Sequence, residues 1–158
     1  MNSPVALSDE FDSELGLEFL DHSEHQMKQN KLASFLGHSQ QAVANWLNDR
    51  EIVGSVVDAP GGRTFYIGPQ DDQKMSFHFN PEGVLYGVGV SNSDEPEMGK
   101  VYQELGLDWS ISEEDISGGN EPDFEAEDNR SFRLIGEGVE YLVTFEKEKC
   151  VFLNVRLS

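Results

Sequence analysis

Four histidines and one cysteine are the side chains best suited to ligate a metal or act as a nucleophile. His22 and His25 form an H-x-x-H pair with Glu24 between them. A zinc site needs a third ligand and a helix that presents both imidazoles together. No third ligand follows at that spacing, and two surface histidines account for the pair. His38 sits at a turn. His78 alternates opposite Phe77 and Phe79, which points it to solvent or to a partner. Cys150 begins a strand near Lys147 and Lys149. Those charges would lower a thiol pKa, but no nearby histidine supports a nucleophile, so the cysteine is read as structural. The segment Asn120, Glu121, Asp123, Glu125, Glu127, Asp128 is rich in carboxylates. It lacks the D-x-D-x-D-G spacing and the final glutamate of a calcium loop. Gly61-Gly62 and Gly118-Gly119 are turn glycines, and no phosphate-cradling or dinucleotide glycine motif opens a helix. The expectation is a protein with no catalytic residues, metal or cofactor.

Charge is the most informative bulk property. Thirty acidic residues stand against eleven basic ones, a net charge of −19. Such a surface repels nucleic-acid phosphates and anionic membrane and speeds encounter with basic partners. Solubility alone is the simpler account of the same acidity. Apolar residues make up 37% and aromatics 10%, enough for a packed interior. No apolar run approaches the roughly 20 residues of a membrane span. The opening MNSPVALSDEFDSE has no basic region followed by an apolar stretch. A single cysteine fits a reducing compartment. These features together read as cytoplasmic.

The elements that would position these residues divide the chain into one compact domain with four segments: 1–50 helical, 51–92 a first β unit, 93–129 an acidic connector and 130–158 a second β unit. In 1–50, SDEFDSELGLEFLDH has the pattern of a short helix. Met27, Leu32, Phe35 and Leu36 recur at helical spacing, Gly37 interrupts, and Ser39 caps a second helix burying Val43, Trp46 and Leu47. After Arg50 the period becomes two. EIVGSVV, RTFYIG, KMSFHFN and VLYGVGV read as strands joined by Pro-Gly and Asn-Pro-Glu-Gly turns. Residues 94–128 hold thirteen acidic residues and one lysine, Lys100. There MGKVYQELGL reads as a helix, SISEEDI as a helical turn and GGNEPDFEAEDN as loop. The end returns to strands.

The two β units repeat. Phe65 and Ile67 align with Phe132 and Leu134 at an offset of 67. Met75, Phe77 and Phe79 align with Tyr141, Val143 and Phe145 at 66. Val84, Tyr86, Val88 and Val90 align with Val151, Leu153, Val155 and Leu157 at 67. The expected fold class is therefore α+β: an N-terminal helical hairpin, then two duplicated antiparallel meanders of helix plus three strands each, with helices packed on the sheet. Both one joined sheet and two packed sheets satisfy the pattern.

Residues 29–46, QNKLASFLGHSQQAVANW, resemble a helix-turn-helix of the lambda-repressor and Cro type. Ala33 falls in the first helix, Gly37 in the turn and Val43 in the second, with Leu32, Leu36 and Trp46 flanking. The resemblance implies that Ser39, Gln40, Gln41 and Asn45 face DNA. A helical hairpin with small residues at its crossing gives the same pattern. Residues 1–52 hold nine acidic residues against Lys28, Lys31 and Arg50, which opposes phosphate binding. In size, charge and architecture the chain also loosely resembles the immunity proteins that bacteria make against toxins. That resemblance implies an inhibitor whose acidic connector docks on a basic, toxin-like surface, with carboxylates standing in for phosphates. The implied contact residues are Asp108, Trp109, Glu113, Glu114, Asp115, Glu121, Asp123, Glu125, Glu127 and Asp128. Trp109 is then either the aromatic anchor of that face or an ordinary core tryptophan.

Overall fold

Eight strands run in one antiparallel sheet. The structure is a computed structural model and describes residues 30–136 and 138–158, so the H-x-x-H pair and the first expected helix lie outside the described residues. The strands are β1 (Ser55–Ala59), β2 (Gly62–Ile67), β3 (Met75–Phe79), β4 (Leu85–Ser91), β5 (Phe124–Glu125), β6 (Asn129–Ile135), β7 (Val139–Glu146) and β8 (Lys149–Leu157). Their order across the sheet is β1-β2-β3-β4-β8-β7-β6-β5. Among the described residues three short helices accompany them: α1 (Gln40–Asp49), α2 (Pro96–Leu105) and α3 (Glu113–Ser117).

This overturns the expected architecture. A sheet dominates, and no helical hairpin precedes it among the described residues. Leu32–Phe35 form a single 3₁₀ turn in place of a first helix. The chain then leaves helical pairing for the sheet. Gly37 N–H donates to Leu85 O at 2.8 Å, Leu85 N–H to His38 O at 2.9 Å, and Ser39 bridges Val84. Only after that does α1 start, with the Ser39 hydroxyl accepting from Ala42 N–H at 3.1 Å. The period of Leu32, Phe35 and Leu36 is therefore used by a tight turn that tucks Leu32 and Phe35 into the core. Each half of the sheet also has four strands, because a two-residue strand, β5, forms inside the segment read as loop.

The halves share their hydrogen-bond register. Phe65 pairs with Phe77 and Ile67 with Met75, and at the corresponding places Phe132 pairs with Val143 and Leu134 with Tyr141. Each half has one bulge. On β4, Tyr86 is the extra residue between the pairs His78↔Gly87 and Phe79↔Leu85. On β8, Val151 is the extra residue between Thr144↔Phe152 and Phe145↔Cys150. A bulge shifts the alternation by one. So Leu85, Val88 and Val90 are buried, as are Cys150, Leu153 and Val155, while Tyr86 is 38% exposed and Leu157 45%. β4 and β8 therefore correspond at an offset of 65, not 67.

With that offset the join between halves becomes symmetric. The pairs Gly87↔Arg156, Val88↔Val155, Gly89↔Asn154, Val90↔Leu153 and Ser91↔Phe152 are centred on Gly89 and Asn154. A pseudo-dyad passes between them. A Cβ at Gly89 would lie 2.9 Å from Phe152 Cζ and 3.2 Å from Asn154 Oδ1, so glycine leaves room for the side chains that cross the join. One sheet face carries the core. Phe77, Phe79, Phe145, Val88 and Val143 pack with Val43 and Leu47 of α1, Met98 and Val101 of α2, and Ile116 of α3. Phe35 meets Trp46 and Phe77 edge-on at 5.1 and 5.4 Å. Among the described residues no helix is long and apolar enough to cross a membrane.

Candidate functional site

Arg130 organises the acidic connector. Its guanidinium donates to both oxygens of Glu113 at 2.6 and 2.7 Å. Glu113 is the first residue of α3, which Ser112 caps by accepting from Asp115 N–H at 3.0 Å. Arg130 is also the register partner of Glu125 on β5. One arginine on β6 thus ties α3 to the sheet through a bidentate, directional pair. Hydrogen bonding to Glu113 raises the Arg130 pKa first of all, with smaller contributions from the charges of Glu125 and Glu148. A shallow polar pocket of about 390 Å³ between Ser112, Glu113, Glu114, Ser117, Arg130 and Glu148 marks the same place. One positive group among three carboxylates leaves a local negative surplus.

The outer strand adds an aromatic. Phe124 is 51% exposed, with the Arg133 guanidinium 5.2 Å from its ring centroid. Asp123 Oδ2 accepts from Arg133 N–H at 2.6 Å, and Asp123 N–H donates to Ser131 O at 2.9 Å. At the other end Ala126 N–H donates to Asn129 O at 2.9 Å, so Phe124 is presented on a strand held at both ends. Sequence reasoning missed it, although an apolar residue between Asp123 and Glu125 in an acidic run was the available signal.

The structure divides the ten expected contact residues. Asp108, Glu113 and Asp123 accept internal hydrogen bonds. Ser110 donates to Asp108 from its hydroxyl at 2.6 Å and from its N–H at 2.9 Å, which holds that carboxyl below the usual range. Trp109 packs against the core, edge-on to Tyr102 at 5.3 Å. Its indole N–H is buried without a partner among the described residues. Glu114, Asp115, Glu121, Glu125, Glu127 and Asp128 are exposed. The acidic flank therefore runs along α3 and β5, and its exposed aromatic is Phe124, on the sheet face away from α3 beside Arg133, rather than Trp109.

The four residues implied by the helix-turn-helix resemblance lie at the start of α1. Ser39 caps it, Gln40 accepts from Arg63 at 3.2 Å, and Gln41 donates to Asn45 at 2.9 Å. Two hydroxyls flank the His78 imidazole, one on each ring nitrogen. Thr64 Oγ1 lies 3.1 Å from Nδ1 and Ser76 Oγ 3.1 Å from Nε2. Burial lowers the His78 pKa, which favours the neutral imidazole. Burial likewise pushes the Cys150 thiol up to about 12, opposite to the expected effect of the nearby lysines. Among the described residues no group of three or more His, Cys, Asp or Glu is placed to hold a metal ion.

No family model matches the chain, and no curated protein matches it. It is similar to the crystal structure of the uncharacterized protein yfeY from Escherichia coli, at 21% identity over 80% of this chain and 92% of that one, with a TM-score of 0.41.

Proposed function

We propose that this chain is a non-enzymatic, cytoplasmic binding protein that takes a basic protein partner on its α3–β5 flank, in the manner of an immunity protein neutralising a toxin. The observation that carries this reading is the flank itself. Exposed Glu114, Glu121, Glu125, Glu127 and Asp128 line this flank, and the half-exposed ring of Phe124 lies at its edge, in register with Ser131 on the sheet face away from α3. Arg130, paired with Glu113, ties α3 to the strands beneath. Long-range attraction would steer the partner in, and the aromatic would supply short-range affinity.

The neutralised quadruple variant Glu114→Gln, Glu121→Gln, Glu125→Gln, Glu127→Gln tests this against a basic partner protein in a stopped-flow or surface-binding assay. The wild-type association rate is expected to fall steeply with salt, and the variant to associate about tenfold more slowly at low salt. Glu113 and Asp123 are left untouched because they hold the fold. Association unchanged by the four substitutions would remove this face from the reading. Phe124→Ala should leave the association rate nearly unchanged and raise the dissociation rate.

A further inference from the structure

The other outer strand has the opposite character. β1 reads SVVDA, with Val56 53% exposed, and Val53 just ahead of it is 87% exposed. An open strand edge is a template for another strand, and proteins blunt such edges with charge, proline or shortness. β5 is blunted: it is two residues long and flanked by carboxylates. β1 is five residues long, residues 52–57 carry no charge, and Asp58 is matched by Arg63 at 2.6 Å.

We propose that β1 pairs antiparallel with β1 of a second copy of this chain, extending the sheet to sixteen strands across a true dyad. Three observations select a second copy. First, the molecule already joins its like strands this way, since β4 and β8 pair antiparallel about Gly89 and Asn154. Identical strands meeting on a dyad satisfy each other's hydrogen bonds by symmetry. Second, the charge is segregated. Residues 51–92 carry a net −3 and residues 93–129 a net −12. β5 lies seven strand spacings from β1, roughly 34 Å, or about four Debye lengths at physiological salt. A β1 dimer turns both acidic flanks outward, and a basic partner is drawn to those flanks rather than to β1. Third, Val56 is in register with Phe65 and Val57 with Thr64. Both faces of the strand therefore present β-branched side chains for cross-strand contact.

Analytical ultracentrifugation of the full chain from about 1 to 100 μM tests the pairing. A concentration-dependent dimer is expected, changing little between about 0.1 and 0.5 M salt because the acidic flanks lie several Debye lengths from the contact. Val56→Asp should weaken the dimer about tenfold or more. Val53→Asp, outside the strand, serves as the second variant if the first does not fold. Amide hydrogen exchange locates the contact: β1 amides should slow as concentration rises while β5 amides do not. A chain that stays monomeric across the range overturns the proposal. So does a dimer whose β1 exchange is indifferent to concentration.

Discussion

The two halves of the sheet share a register but not a surface. The hairpin pairs Phe65↔Phe77 and Phe132↔Val143 occupy equivalent places, and a bulge falls at the same point of β4 and β8. The turns differ. The first half turns at Asn80–Gly83, where Asn80 Oδ1 accepts from Glu82 and Val84 N–H at 3.0 Å and Gly83 takes φ 84°. The second half turns at Lys147-Glu148, with φ of 52° and 70°, a conformation that side chains resist. The polar cross-strand pair differs as well: His78 with Thr64 in one half, Thr144 with Ser131 at 2.8 Å in the other. The core pattern specifies the sheet, and the loops and edges are left to vary with what each flank does.

Core truncation should break the likeness most strongly. Phe77 and Val143 are equivalent and both fully buried. Phe77→Ala should cost about 3–5 kcal/mol by urea unfolding and Val143→Ala about 2 kcal/mol, because the lost volume differs. Equal losses would show that the halves do not share one core. The turns should respond with opposite signs. Gly83→Ala forces a side chain into positive φ and should cost about 1 kcal/mol, whereas Lys147→Asn with Glu148→Gly should gain about 1 kcal/mol. The smallest effect separates the polar pairs by pH. The His78 pKa in the folded chain lies below its ordinary value because of burial. Stability from His78 is therefore complete above about pH 6.5 and falls as pH drops below it, since the unfolded chain takes the proton first. His78→Thr, which copies the second half, should remove that loss when wild type and variant are compared by thermal melts from about pH 7 to 5. The comparison cancels the shared carboxylate titrations.

Much of the sheet was legible in alternation. Met75, Phe77 and Phe79, and likewise Tyr141, Val143 and Phe145, are buried as their period of two implies. The bulges were not legible, because an extra residue such as Tyr86 or Val151 shifts the phase without changing composition. The N-terminal hairpin failed for a tertiary reason. Residues 37–39 find strand partners at Val84 and Leu85, and these outweigh a weak helical preference. β5 was hidden because Asp, Glu, Gly and Pro read as loop, whereas hydrogen bonds from Asp123 and Ala126 to β6 and its turn hold it in the sheet. For the candidate site, the acidity was visible in the residue types. The division between carboxylates that brace the flank and those that face outward depends on Arg130, Arg133 and Ser110, which are distant or inconspicuous in the sequence.

The join at Gly89 and Asn154 has a kinetic consequence. Six of the seven strand pairings connect neighbours in the chain, and only β4 with β8 spans a long separation. Loop-closure entropy therefore concentrates in one event. The local hairpins can form early and independently, and docking of the two preformed halves becomes the slow, late step. Gly89 sits at its centre.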